Sequence, residues 1–128
     1  VIVVCTNELH HIQRCLPPLL TQDHPSYEVI VVDNASHDGS QAYVRAQQES
    51  HSHLRLITNQ ENLGYVGANN VGFAHSEAEL LVVLNPDTEP KEDWLSELLN
   101  ELLIATAQNA MAGTGSLGQN KCCCQTSL

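Results

Sequence analysis

The stretch "YEVIVVDNASHDGS", Tyr27 to Ser40, decides how this chain folds. Its first half, residues 27–33, is an almost unbroken apolar run rich in β-branched side chains. A short run of this kind reads as a strand buried on both faces. Its second half is a turn. Asn34, Ser36, Gly39 and Ser40 belong to the residue types that leave regular structure, and Asp38 or Ser40 stands where a helix over residues 40–51 would need its cap.

The same unit recurs on either side. Upstream, "VIVVC" (1–5) is a second β-branched run, followed by "TNELHHIQRCLPPLLTQ". There Leu9, Ile12, Leu16, Leu19 and Leu20 recur at helical spacing, Thr6 or Asn7 is placed to cap, and Pro17 and Pro18 are expected to bend or restart the helix. Downstream, "LRLIT" (54–58) reads as a strand, "NQENLG" as a polar loop and "YVGANNVGFAHS" as a Gly-rich, weak helix. "ELLVVLN" (79–85) reads as the fourth strand. "KEDWLSELLNELLIATA" is an amphipathic helix carrying Trp94, Leu95, Leu98, Leu99, Leu102 and Leu103, with acidic residues at its start. Four alternations of strand and helix predict an α/β class fold: an open, mostly parallel sheet with flanking helices and right-handed crossovers. The α/β domain is expected over 1–107, and "QNAMAGTGSLGQNKCCCQTSL" (108–128) as an irregular tail or linker.

Composition narrows the function. The chain has 128 residues, enough for one domain and one core, and its aromatics are only 4%, so that core must be aliphatic. Fifteen acidic residues against five basic ones give a net charge of −10, which repels nucleic acid and anionic lipid. A phosphorylated ligand would need a cation or backbone N–H groups to hold it. No apolar run reaches the ~18 residues of a membrane span, so no transmembrane segment is expected in this chain, and no basic-then-apolar leader is visible. The chain begins at Val1, inside a strand, and is expected to be part of a longer protein. Cys5 and Cys15 read as small core residues, and the adjacent Cys122, Cys123 and Cys124 as a poor disulfide or zinc framework, which points to a reducing compartment. His51 and His53 lie in a turn with no third ligand, and His75 suits the end of a helix. The sequon at Asn34 reads as chance, and the glycines 64, 67 and 72 do not follow the first strand as a dinucleotide fingerprint would.

Ligands of open parallel sheets bind beyond the carboxyl ends of the strands. Those tips are Thr6-Asn7-Glu8, Asp33-Asn34-Ala35-Ser36, Thr58-Asn59 and Asn85-Pro86-Asp87-Thr88, all polar. Wet loops and helix caps account for any one of them. Asp33 and Asp87, read as lying on neighbouring strands, are harder to explain that way. Of the basic residues Arg14, Arg45, Arg55, Lys91 and Lys121, only Lys91 lies near a tip. Two unit charges ~4 Å apart at an effective dielectric of ~20 repel by ~4 kcal/mol, so a diphosphate would need a divalent metal here. Mg²⁺ takes one or two carboxylates and completes its shell with water and phosphate. Asp87, lifted clear by Pro86, suits that role, and Asn85 can supply a neutral oxygen.

The segments "VIVVCTNE", "CLPPLLTQ", "YEVIVVDNASHDGS", "NQENLGYVGANNVGFAHS", "LLVVLNPDTEP" and "WLSELL" together resemble the family 2 glycosyltransferases of the GT-A fold, especially the rhamnosyltransferase-like branch. The resemblance covers residues 1–103. It implies inverting transfer of a sugar, rhamnose favoured by "LNPDT", from a nucleoside-diphosphate donor of the deoxythymidine or uridine type to a glycan or lipid-linked acceptor. It implies a cytoplasmic enzyme, or one peripheral to the inner face of the membrane, and a divalent metal, Mg²⁺ or Mn²⁺. It assigns Thr6 and Asn7 to the loop that contacts base and ribose, Asp33 to the pyrimidine base, and Asp38 to a second acidic nucleotide position. Asn69 falls near the phosphates and sugar, and Asn85 and Asp87 match the family's Asp-x-Asp, with Asp87 on the metal. The family's first loop usually carries an aromatic residue before Asn, where this chain has Thr6. The family's general base lies past the fourth strand, in the acceptor-binding half that this chain is expected to lack. None of Glu89, Glu92, Asp93, Glu97 and Glu101 is assigned that role. A sugar-nucleotide nucleotidyltransferase would need a Gly-rich basic loop after the first strand, which is missing. A non-catalytic nucleotide-binding module derived from a degenerate transferase is the alternative.

Overall fold

A β-branched run without polar interruption must be covered from both sides, and the chain does this with helices placed on the two faces of one sheet. The computed structural model describes residues 1–111 and 122–126. In chain order the elements are β1 (Ile2–Cys5), α1 (Leu9–Leu20), β2 (Val29–Asp33), α2 (Ser40–Gln48), β3 (Leu54–Thr58), α3 (Gly64–Ala74), β4 (Leu80–Leu84), α4 (Trp94–Met111) and β5 (Cys122–Thr126). The strand order is β3-β2-β1-β4-β5, with every pairing parallel. In register, Cys5 stands beside Asp33 and Asp33 beside Thr58, so three strands end level.

Alternate residues divide between two cores, as the period of a strand requires. Val3, Cys5, Val29 and Val31 pack with Ile12, Leu16 and Leu19 of α1 and Val44 of α2. Ile2, Val4, Ile30 and Val32 pack on the other face with Ala68 of α3, joined by Val71 and Phe73. α3 approaches closely because Gly72 has no side chain: a Cβ there would lie 2.7 Å from Cγ2 of Ile2. Trp94, at the start of α4, joins the α1–α2 core, whereas Leu103 and Ile104 further along α4 are exposed.

Several expectations are corrected. α4 runs on to Met111 and β5 pairs with β4 along Leu80–Leu84, so irregular chain does not fill 108–128; the remainder of that span lies outside the described residues. α1 continues unbroken through Pro17 and Pro18. The prolines fall in its last turn, where the carbonyls of Pro17 and Pro18 are taken by the Thr21 hydroxyl (3.3 and 3.4 Å) and that of Pro18 also by Gln22 Nε2 (2.9 Å). Neither Thr6 nor Asn7 caps α1: its N-cap residue is Glu8, and the Leu9 N–H donates to Asp38 instead. His53 does more than occupy a turn, because its ring packs edge-to-face with that of Tyr27, the centroids 4.9 Å apart.

Candidate functional site

β2 and β3 lie to one side of β1, and β4 and β5 to the other. The loops leaving β1 and β4 therefore part from each other, and a crevice opens between them. It is a cleft of about 400 Å³ whose walls include Thr6 and Glu8 from the tip of β1, Asn85 and Asp87 from the tip of β4, and Asn34, Asn62 and Tyr65. A second cavity of about 320 Å³ lies at the opposite, amino ends of the strands, against Val1, Tyr27, Leu80 and Leu95, away from all the polar tips.

The β4 tip is a turn. The Thr88 N–H donates to the Asn85 carbonyl at 3.1 Å, which puts Pro86 at the second position, where its fixed φ is favoured. Pro86 is buried and Asp87 exposed. The Asp87 carboxylate has no hydrogen bond or ion pair with any described residue, whereas Asn85 Oδ1 accepts the Tyr65 hydroxyl at 3.3 Å. The acidity of this corner is felt at Cys15 on α1, whose thiol is pushed up to about 12 by burial and then by Asp87 and Glu89.

The β1 and β2 tips are laced together. Asn7 adopts φ 53° and Ala35 φ 62°, both in the left-handed region. The Asn7 N–H donates to Ser36 Oγ (2.8 Å), and Asn7 Oδ1 accepts the His37 N–H (2.7 Å). Asp38 accepts from Leu9 N–H at 2.7 Å, and from the Ser40 N–H at 3.0 Å and hydroxyl at 2.6 Å, so one carboxylate serves the starts of α1 and α2. Desolvation pushes its pKa upward, but the hydrogen bonds from Ser40 and Leu9 outweigh this and hold it below the usual carboxylate value.

Asp33 does not line the cleft. It is fully buried, and its Oδ1 accepts the Ser36 N–H (2.9 Å) and Gln41 Nε2 (2.7 Å) while Oδ2 faces the Cys5 thiol at 3.6 Å. Burial, and then Asp33, push that thiol well above its ordinary range. Nor are Asp33 and Asp87 on neighbouring strands, since β1 runs between β2 and β4. The residue that reaches the cleft from β2 is Asn34. Its Oδ1 accepts Asn59 Nδ2 (3.1 Å) and the Leu63 N–H (3.0 Å), and its Nδ2 donates to Asn62 Oδ1 (2.6 Å). With Asn34 only 1% exposed, this clasp fixes the loop from β3 to α3 along the cleft wall.

Of the residues singled out from sequence, then, Thr6, Asn85 and Asp87 meet at the cleft. Asn7 and Asp38 brace its rim. Asn69 is buried on α3, donates to the Tyr65 carbonyl (2.9 Å), and leaves its Oδ1 without a partner among the described residues. Glu8, Asn34, Asn62 and Tyr65 were not singled out. Glu8 and Asn34 had a signal in their position at strand tips; Asn62 and Tyr65 lie in the segment "NQENLGYVGANNVGFAHS" that carries the resemblance, but only the fold brings them to the cleft.

No group of three or more His, Cys, Asp or Glu side chains among the described residues could cage a metal. One free carboxylate on a cleft wall suits a hard cation that keeps water and substrate oxygens in its shell, as Mg²⁺ does.

A model of glycosyl transferase family 2 matches residues 1–118. The chain is 35% identical over 97 residues to Glycosyltransferase AglE of Haloferax volcanii, covering 74% of this chain and 32% of that protein. Among solved structures, S. aureus TarS 1–349 in complex with UDP aligns with a TM-score of 0.66 and 26% identity, over 86% of this chain and 31% of that one. The mannosyltransferase PcManGT from Pyrobaculum calidifontis, in complex with GDP-Man and Mn²⁺, aligns with a TM-score of 0.61 and 35% identity, over 67% and 26%. The chain thus spans about a third or less of the length of each.

Proposed function

The chain belongs to glycosyl transferase family 2, and from that premise we propose that the switch-point cleft is the donor pocket of an inverting transferase, in which a nucleoside-diphosphate sugar meets Asp87 through Mg²⁺ or Mn²⁺. The observation that carries this reading is an exposed carboxylate, without a partner among the described residues, held by a proline turn at the edge of a switch-point crevice. On a chain of net charge −10, such a group attracts cations, not phosphates. A divalent cation held there would supply Lewis-acid stabilisation of the diphosphate leaving group. The likeness to structures solved with UDP and with GDP-Man and Mn²⁺ supports the same ligand class.

The residues of the chain divide the rest of the work. Thr6 presents a neutral hydrogen-bonding group to the nucleoside, and Asn34, clasped to Asn59, Asn62 and Leu63, holds the wall beside it. Asn85, tied to Tyr65, positions the turn that carries Asp87. Asp33, buried and saturated, acts on the nucleotide at one remove by fixing Ser36 and Gln41. The "LNPDT" tip favours rhamnose as the transferred sugar, and the family resemblance favours a glycan or lipid-linked sugar as acceptor and an enzyme of the cytoplasm or the inner membrane face. No helix among the described residues is long and apolar enough to cross a membrane.

Calorimetric titration with UDP, dTDP and GDP, with and without Mn²⁺, tests the proposal. Binding of at least one nucleotide should require Mn²⁺. Asp87→Ala should remove that requirement and weaken the metal-loaded complex by about tenfold or more, the order expected for a charged contact. Because Asp87 is exposed, the variant should fold normally. An unchanged affinity in Asp87→Ala would dismiss the assignment.

A further inference from the structure

The second cavity, at the amino ends of the strands, has no part in the donor reading. Its apolar wall includes Leu80 and Val82 of β4 and Leu95 and Leu99 of α4. Leu95, Leu99 and Leu103 stand four residues apart, so they follow one another along one side of that helix. Their exposure rises outward: Leu95 is buried, Leu99 half-buried and Leu103 65% exposed. Leu80 is itself 41% exposed. An apolar stripe therefore leaves the cavity and emerges on the surface. The bonds from α4 to the loop before β2 do not cover it, because they are made at the first turn, where the Leu95 N–H donates to Gln22 Oε1 (2.9 Å) and the Ser96 hydroxyl to the Asp23 carbonyl.

The rim is acidic. Glu28 and Glu79 stand on the cavity lining, and no Lys or Arg does. Glu28 is paired with Arg55 at 2.8 Å, whereas the exposed Glu79 has no ion pair among the described residues. α4 carries Glu97 and Glu101 and no basic residue. These charges decide what can cover the stripe. A second copy would bring its own net charge of −10 and another acidic rim, and like charges oppose that pairing. An anionic membrane is repelled for the same reason. A partner with apolar anchors flanked by Lys or Arg satisfies both the floor and the rim. An amphipathic helix laid in a groove presents its anchors at this spacing.

We propose that the cavity and the Leu99–Leu103 stripe form a docking groove for a basic amphipathic helix of a partner protein, at the end of the sheet opposite the donor cleft. The proposal is independent of the donor reading, and the failure of either leaves the other standing.

Fluorescence anisotropy on the whole chain tests it, with a labelled helical peptide whose leucine face is flanked by lysines. One control peptide scrambles that sequence and another replaces its lysines by glutamates. The wild type should bind the first peptide about tenfold or more tighter than either control. Leu103→Asp should weaken this binding about fivefold or more, the effect of an interface anchor. Glu79→Lys should weaken it and lessen its dependence on salt. Both side chains are exposed, so both variants should fold, which circular dichroism verifies. Absence of peptide binding by the wild type overturns the proposal. Equal binding of the scrambled peptide does so too, since it would show only attraction to an acidic surface, as does equal binding of the glutamate peptide or an affinity unchanged in both variants. A dimer in sedimentation that Leu103→Asp dissolves would make a second copy the occupant and overturn it as well.

Discussion

Asp38 is one carboxylate that caps two helices, from the loop between β2 and α2. A lost N-cap costs about 0.5–2 kcal/mol, so Asp38→Ala, which uncaps α1 and α2 together, should cost roughly 1–3 kcal/mol in urea denaturation at pH 7. The effect should depend on pH. Hydrogen bonds from Ser40 and Leu9 hold the folded-state pKa below its unfolded value. A group depressed in this way stabilises the fold fully above the unfolded value and loses that contribution as pH falls through the folded one. Asp38→Asn keeps a capping oxygen but cannot titrate. Wild type should therefore lose its advantage over Asp38→Asn on going from neutral pH to below ~4, the ordinary carboxylate range. A constant stability difference across that interval would show that the carboxylate charge contributes nothing. Half of this arrangement is legible in the sequence. The bond to Ser40 spans two residues and follows from local cap chemistry, whereas the bond to Leu9 spans 29 and exists only once β1 and β2 lie side by side. Asn34 is illegible for the same reason: its partners at 59, 62 and 63 belong to another loop.

At the scale of elements, α3 and α4 make opposite demands. α3 seats Gly72 against Ile2 and Val32, so closely that a methyl group on its Cα would fall inside contact distance of the Ile2 side chain. Ile2 is fully buried and β-branched, so it has little freedom to yield. Gly72→Ala, although it raises helix propensity, should destabilise by roughly 1–3 kcal/mol through overpacking. Ile104→Ala on α4 is the larger change in atoms, but in a side chain that is 52% exposed, and should change stability by no more than about 0.5 kcal/mol. Thermal or urea unfolding of both variants checks the pair, and a stable Gly72→Ala would mean that α3 can lift from the sheet at little cost. The first four strands and four helices are legible from local signals: apolar runs for the strands, i, i+3, i+4 spacing for α1 and α4, cap residues for α2, and for α3 its place between two strands. β5 is not, because "CCCQT" has neither a β-branched run nor an alternation, and only its position beside β4 makes it a strand. The leucines of α4 recur at helical spacing, yet only Leu95 is buried, since a helix period says which residues share a face and not whether anything covers it.

For the molecule as a whole, the site is a consequence of strand order. The polar tips are written in the sequence, but nothing local says that β4 adds to the far side of β1, which is what separates Asp33 from Asp87 and opens the crevice between Glu8 and Asp87. Within that crevice the arithmetic of carboxylates is short. Asp87 is the acid proposed for the cation on the diphosphate, Glu8 is the other acid of the cleft wall, and that wall has no third acid among the described residues. Inverting transfer needs a base within hydrogen-bond reach of the acceptor hydroxyl, with room for that acceptor on the side of the sugar opposite the diphosphate. Asp33 cannot serve, being buried and already bonded to Ser36 and Gln41. The 128-residue chain should therefore bind UDP in Mn²⁺ and release none from a UDP-sugar, whether to water or to an added sugar acceptor. A coupled assay for free UDP, run beside the calorimetry, checks this. Sustained UDP release that disappears in Glu8→Gln while UDP still binds would make Glu8 the base.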